Sequence, residues 1–191
     1  IVIELIGGIE PAKTFILAAL DAGKTVVTAN KDLLAQHWPE LNAAAKKSGA
    51  GFYFEGSVCG GIPLIRAIWD GLQVNEITSI MGIINGTTNY ILSKMEDTGA
   101  SFEDVVREAQ QMSLAEANPR NDVEGFDAMY KLSILSSLAF HGRVPVEYIH
   151  REGITNVTQQ DIQFADELGY TIKLLAIGKK SGKTIEARVH P

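Results

Sequence analysis

The strongest constraint on the fold is the alternation of element types between Val2 and Gly56. A short apolar run over residues 2–6 predicts a buried strand, and Pro11 to Ala22, with Pro in the first turn, predicts a helix. Lys24 to Thr28 then reads as a strand, 32–48 as a second helix and 51–54 as a third strand. Strands that alternate with helices cannot be joined by tight hairpins, so the pattern implies right-handed βαβ crossovers and a parallel sheet. The expected class is α/β, in the manner of a doubly wound nucleotide-binding fold.

Beyond Gly56 the pattern changes. A Gly60-Gly61 turn leads to a short helix near 63–71, an alternating strand near 76–84 and several consecutive helices to about 141, and strands near 170–177 and 184–189 follow. Strands flanking a run of helices suggest an α+β domain. The expected boundary lies near residue 56, with 1–56 a partial dinucleotide-binding domain and 57–191 a substrate-binding and catalytic α+β domain. Ile1 opens within a strand and no initiator Met precedes it, so the chain is expected to be a piece of a longer one, truncated at both ends.

Composition narrows the partners. With 46% hydrophobic and 21% charged residues the chain has ample material for a core. A net charge of −6 without a long basic run argues against nucleic acid or an anionic membrane surface, and favours small molecules. No apolar run approaches the roughly 20 residues that span a bilayer. The single cysteine, Cys59, excludes an intramolecular disulfide and a zinc-finger pattern, so a reducing, cytoplasmic setting is expected.

Candidate chemistry collects at strand ends and helix starts. The phosphate-cradling G-x-G-x-x-G is absent; Gly7-Gly8, between a strand and a helix, would let a cofactor approach the backbone, and an ordinary tight turn explains it equally. Thr28-Ala29-Asn30-Lys31 ends the next strand at the carboxyl edge, where open α/β sheets bind ligands. A lysine in a first helical turn is unfavourable for the helix dipole, which tilts Lys31 towards function. Asp127 and Lys131 are spaced i, i+4 at the head of an apolar helix whose stripe continues through Ile134, Leu135 and Leu138. Lys131 therefore belongs at the edge of a buried surface, either as a controlled proton donor or in a half-buried salt bridge. Asn85-Gly86-Thr87-Thr88-Asn89 precedes a helix expected from about Tyr90, and suits an anion or plain capping. Glu55 and the Gly56 to Pro63 bend present carbonyl oxygens beside one carboxylate, which suits a hard cation or a hinge.

In order and spacing, Glu4-Leu5-Ile6-Gly7-Gly8, Thr28-Ala29-Asn30-Lys31, Glu55 to Pro63, Asn85 to Ile91 and Ala115-Glu116 to Lys131 resemble the homoserine dehydrogenase family. Arg151-Glu152-Gly153-Ile154 and Glu186 to Pro191 extend the likeness to the last residue. The resemblance implies the C-terminal half of a Rossmann-like domain followed by a substrate and dimerisation domain. It also implies interconversion of L-homoserine and L-aspartate 4-semialdehyde with NAD or NADP. It further implies Lys131 as proton donor, Lys31 beside nicotinamide and substrate, Asp127 as a partner of the catalytic lysine, and Glu116 as ligand of the substrate amino group. Asp122, Asp127, Gly86 and Thr87 would complete the substrate pocket, while Gly7, Gly8, Thr28, Asn30 and Lys31 would face the cofactor. Glu55 with the carbonyls of Val58, Gly60 and Ile62 would form a sodium site. Three positions depart from the family pattern: Cys59 in its triple glycine, Ser113-Leu114 in place of Gly-Tyr, and Asn118 in place of Asp. With the phosphate loop expected upstream of Ile1, this stretch alone is expected to be inactive.

Three rival readings use the same residues. The chain could be an assembly module, without chemistry of its own, whose strands at 76–84 and 170–189 pair across a two-fold axis in a homodimer. It could be an oxidoreductase that works through a Cys59 thioester. A metal hydrolase using Glu116, Asp122, Glu124 and Asp127 is disfavoured because no histidine joins them.

Overall fold

The computed structural model describes all 191 residues. Two compact units emerge, one formed by Ile1–Thr78 with Tyr130–Tyr148, the other by Ser79–Met129 with Ile149–Pro191. The expected boundary near residue 56 falls inside the first unit. No helix is long and apolar enough to cross a membrane.

In the first unit, β1 (Val2–Glu4), β2 (Val26–Thr28) and β3 (Phe52–Tyr53) form a parallel sheet in that order, with Val2 opposite Val26 and Val26 opposite Phe52. The crossovers are α1 (Ala12–Asp21) and α2 (Lys31–Ser48), which pack on each other. Helix α1 buries Ala12, Ile16, Ala19 and Leu20, one stripe at helical spacing, and each large side chain so buried stabilises by about 1.5–3 kcal/mol. Strand β1 is shorter than the 2–6 expected. The Glu4 carboxylate accepts the N–H groups of Ile6 (2.7 Å) and Gly7 (3.3 Å), which turns the chain out of the ladder at that point. Helix α2 is bent rather than straight. His37 leaves helical geometry (φ −117°, ψ 15°) because Pro39 has no N–H to donate and its ring crowds the preceding turn. A short helix α3 (Leu64–Arg66) continues into a wider turn at Ala67–Gly71.

The second unit holds a mixed four-stranded sheet, order β4-β6-β7-β5, from β4 (Ser79–Gly82), β5 (His150–Arg151), β6 (Leu175–Ser181) and β7 (Thr184–His190). Strands β6 and β7 are an antiparallel hairpin closed by Gly182-Lys183, with Gly182 at φ +57°, where a left-handed residue matches the strand twist. Its helices are α4 (Gly86–Thr98), α5 (Phe102–Gln111), α6 (Arg120–Val123) and α8 (Gln159–Glu167). Helix α7 (Phe126–Ala139) gives its first turn to this unit and the remainder to the other.

Three expectations are corrected here. Helix α4 begins at Gly86 rather than near Tyr90, because the Asn85 side chain accepts the Thr88 N–H and starts the helix four residues earlier. The strand expected at 170–177 begins only at Leu175, where pairing with His190 starts. The strand expected over 76–84 is confined to Ser79–Gly82, the residues paired with β6. No element is expected from sequence between about 141 and 170, yet β5 and α8 lie there. Helix α8 is announced by a reciprocal cap: the Thr158 hydroxyl accepts the Asp161 N–H, and the Asp161 carboxylate accepts the Thr158 N–H.

Candidate active site

In the first unit the candidates gather at the carboxyl edge of β1 and β2, around a buried acid to which the sequence alone assigns no role. Glu4 is 4% exposed. One carboxylate oxygen accepts the Ile6 and Gly7 N–H groups, and the other accepts the Thr28 hydroxyl at 2.6 Å. Thr28 Oγ1 in turn accepts the Asn30 N–H (3.0 Å), and Asn30 Nδ2 donates to the Gly8 carbonyl (2.7 Å). Asn30 Oδ1 accepts the Leu33 N–H and caps α2. Thr28 and Asn30 thus build the loop rather than stand apart from it. Gly7 (φ +80°) and Gly8 (φ +69°) take left-handed conformations, and no atom lies within 4 Å of where a Cβ would stand on either. A flat, open stretch of backbone results, which is what the close approach of a dinucleotide requires. Lys31 is the first residue of α2 and half-buried.

Glu55 and its loop have a use of their own. The Glu55 carboxylate accepts the N–H groups of Ile65 (3.0 Å) and Arg66 (2.9 Å), and the Ile62 carbonyl accepts the Leu64 N–H (2.7 Å). Two of the four residues expected to hold sodium, Glu55 and Ile62, therefore use these oxygens to start α3. The turn is tight: Cys59 sits at φ +52°, half-buried, with its carbonyl accepting the Ile62 N–H. A cavity of about 480 Å³ in the same unit is lined by Trp38, Phe54, Trp69, Ile134 and Leu138 among others, and by none of the candidate residues. It is an apolar space, separate from the polar candidates.

In the second unit the acidic candidates converge on one amide. Asn85 Nδ2 donates to Asp122 Oδ1 (2.7 Å) and to Asp127 Oδ2 (2.9 Å). Asp127 is 6% exposed and Asp122 is half-buried. Asp127 opens α7; Lys131, half-buried, follows one turn later on that helix, in the stretch that belongs to the first unit. Glu116 is exposed, on a segment fixed by its neighbours: Thr87 Oγ1 donates to the Leu114 carbonyl (3.1 Å), and Gln110 Nε2 donates to the carbonyls of Glu116 (3.2 Å) and Ala117 (3.1 Å). Gly86 and Thr87 occupy the first turn of α4, with Gly86 exposed. Behind this turn, Tyr90 and Lys94 both donate to Glu108 (2.9 Å each). Lys94, then Tyr90, hold the Glu108 carboxyl below its ordinary range, and Glu108 raises both partners.

The turn between α6 and α7, which carries both aspartates, is clamped from behind. Ile154 N–H donates to the Val123 carbonyl (2.8 Å), Arg151 Nη1 donates to the Glu124 carbonyl, and the Arg151 guanidinium lies 3.7 Å from the centre of the Phe126 ring. Gly125 takes φ +80° there, beside the Glu152 carbonyl. From sequence, Glu4 and Arg151 to Ile154 stand only inside motifs without a role of their own, and Asn85 only as a cap or anion-binding position; their long-range partners are not visible there. The spacing Asn85-x-x-Thr88, a cap signature, was the one local signal for Asn85. The metal-hydrolase alternative finds no support: Glu124 pairs with Arg120 at 2.9 Å, and no group of three or more histidine, cysteine or acidic side chains is placed to hold a metal.

Known proteins are similar to this chain over its length. Residues 63–191 match the family model for homoserine dehydrogenase, and residues 1–55 match that for the homoserine dehydrogenase NAD-binding domain. The homoserine dehydrogenase of Bacillus subtilis is 48% identical over 191 residues and that of Corynebacterium glutamicum 50% over 196; each alignment takes in 100% of this chain and 44% of the relative. The chain thus spans less than half the length of the curated relatives it matches. The crystal structure of a homoserine dehydrogenase from Thiobacillus denitrificans superposes with a TM-score of 0.96 at 50% identity, over 99% of this chain and 44% of that one. A hyperthermophilic archaeal homoserine dehydrogenase in complex with NADPH gives 0.83 at 29%, over 99% and 55%. Both halves of the chain and every cluster described above fall within these matches, and on that ground the chain belongs to the homoserine dehydrogenase family.

Proposed function

We propose that this chain carries the substrate-side machinery of an NAD(P)-dependent, cytoplasmic oxidoreductase that interconverts L-homoserine and L-aspartate 4-semialdehyde. The observation that carries the reading is the buried Asp127 at the head of the helix that bears Lys131 one turn later. Bound NAD(P) supplies or accepts the hydride at the aldehyde carbon. Lys131 donates the proton to the carbonyl oxygen as negative charge grows there, and removes it in the reverse direction, a role worth about 10²–10⁴-fold. Asp127 orients Lys131, and Lys31 adds positive potential beside the reacting oxygen. Glu116 takes the substrate ammonium, with Asp122, Gly86 and Thr87 shaping the rest of the pocket. Gly7 and Gly8 admit the cofactor to the backbone, on the loop that Thr28 holds through Glu4 and Asn30 holds at the Gly8 carbonyl. Residues 1–56 serve the dinucleotide and 57–191 the substrate.

The test is oxidation of L-homoserine by the full-length protein, followed by the absorbance of reduced nicotinamide with NAD and with NADP. Turnover that needs both homoserine and cofactor supports the reading; a folded protein silent with both cofactors contradicts it. A second role is favoured by one observation: β4 is an edge strand with Met81 exposed, and Ile83 exposed just past its end, an open ladder for a second copy to pair with in a homodimer. Light scattering checks the dimer.

A further inference from the structure

Asn85 does more than cap a helix. Its Oδ1 accepts both the Thr88 N–H (2.8 Å) and the Thr88 hydroxyl (2.8 Å), while Nδ2 donates to Asp122 and Asp127. With two donors and two lone pairs engaged and the residue 5% exposed, the amide has no remaining freedom to turn. Serine, threonine and aspartate also cap helices well, yet of these residue types only asparagine brings an acceptor for the helix together with two hydrogens for anions. Two carboxylates on neighbouring helices, α6 and α7, repel each other unless something between them donates to both. The neutral amide does so without adding charge.

We propose that Asn85 is a positioning residue for the reaction: its side-chain amide ties Asp122 and Asp127 into one anionic pair at the head of the helix that carries Lys131. The inference rests on the function proposed above. Asp122 Oδ1 and Asp127 Oδ2 are fixed to one nitrogen, so the orientation of both carboxylates is set by the start of α4. That same turn carries Gly86 and Thr87, and Thr87 holds the segment before Glu116. One helix start thereby registers the acidic groups that would receive the substrate and orient the lysine.

The experiment compares the full-length wild type with Asn85→Ser and Asn85→Asp, both of which keep a capping oxygen. Asn85→Ser removes both amide hydrogens, and its shorter hydroxyl cannot bridge the two carboxylates; kcat/KM for L-homoserine falls at least about 10-fold, since a misplacement of about 1 Å can cost on the order of 100-fold. Affinity for the reduced cofactor alone stays near wild type, and kinetics are measured well below the lowered Tm that the lost buried hydrogen bonds bring. Asn85→Asp replaces the donors with a third carboxylate, so activity relative to wild type is low at neutral pH and rises towards about pH 5. There the introduced acid, its pKa raised by two anions, carries a proton and restores one donor. Wild-type kcat/KM in Asn85→Ser overturns the inference. So does a loss of activity in both variants that only tracks lost folding stability, without the pH-dependent recovery in Asn85→Asp. A wild-type protein inactive on homoserine overturns the function reading itself, whereas active wild type with unaffected variants overturns only the role of Asn85.

Discussion

Gly153 is pressed against the α6–α7 turn so closely that no side chain fits. A Cβ on it would stand 2.3 Å from the Val123 carbonyl oxygen, 2.5 Å from Glu124 Cα and 2.9 Å from the Glu124 carbonyl carbon. All three are backbone atoms, so no rotamer change relieves the contact, and the turn must move by about 1 Å. That movement breaks the 2.8 Å bond from Ile154 N–H to the Val123 carbonyl. Overpacking costs about 1–3 kcal/mol and the lost hydrogen bond about 0.5–1.5 kcal/mol. For Gly153→Ala in the full-length protein the expected destabilisation is therefore roughly 2–4 kcal/mol, read as a lower Tm. Because the moving segment lies between Asp122 and Asp127, homoserine turnover falls further than the residual folded fraction explains. Thermal unfolding by circular dichroism, alongside steady-state kinetics below the transition, measures both. Gly71→Ala is the control: no atom lies within 4 Å of its Cβ position, and a shift within about 0.5 kcal/mol is expected. A Gly153→Ala protein with wild-type Tm and kcat would refute the clamp.

Other expectations follow from the same contacts. Glu4→Ala strips the Thr28 hydroxyl and two N–H groups of their buried acceptor, so a loss of about 1–3 kcal/mol and weaker binding of reduced cofactor are expected in a fluorescence titration; unchanged affinity would separate the loop from the cofactor. Glu116→Ala raises KM for L-homoserine far more than it lowers kcat, and an unchanged KM would remove the ammonium contact from Glu116. For the Tyr90–Lys94–Glu108 cluster the sign follows from the shifts. Glu108 is depressed, so its contribution is complete above the ordinary value of 4.5 and is lost as pH falls through the lower folded value. Tyr90 and Lys94 are raised, so theirs is complete below 10.0 and 10.5 and is lost at higher pH. The difference in Tm between wild type and Glu108→Gln should thus be flat between those limits and shrink on either side; a difference that widens in acid contradicts the pairing.

The alternating opening was legible because a parallel sheet leaves few other ways to order strands and helices, and the α1 stripe of Ala12, Ile16 and Leu20 agrees with it residue by residue. Local competition was harder to read. Whether Ile6 continues a strand depends on the Glu4 carboxylate taking its N–H, and whether Gly86 is helical depends on the Asn85 side chain. Short polar groups that hydrogen-bond backbone shift element ends by several residues while leaving hydrophobic periodicity untouched. The polar candidates were visible as unusual charges near strand ends and helix starts, yet their arrangement was not. Asn85 meets Asp122 and Asp127 across 37 and 42 residues of sequence, and the clamp at Gly153 meets Val123 across a comparable gap. Such long-range pairings carry no local signature.

Whether Lys131 handles the proton of the carbonyl oxygen is read from the steady-state kinetics of Lys131→Ala in the full-length protein with L-homoserine and saturating cofactor. A group that acts as general acid and base in the transition state predicts a kcat lowered by about 10²–10⁴-fold with little change in KM. A wild-type kcat in Lys131→Ala, or a rise in KM alone, would place Lys131 outside the chemical step.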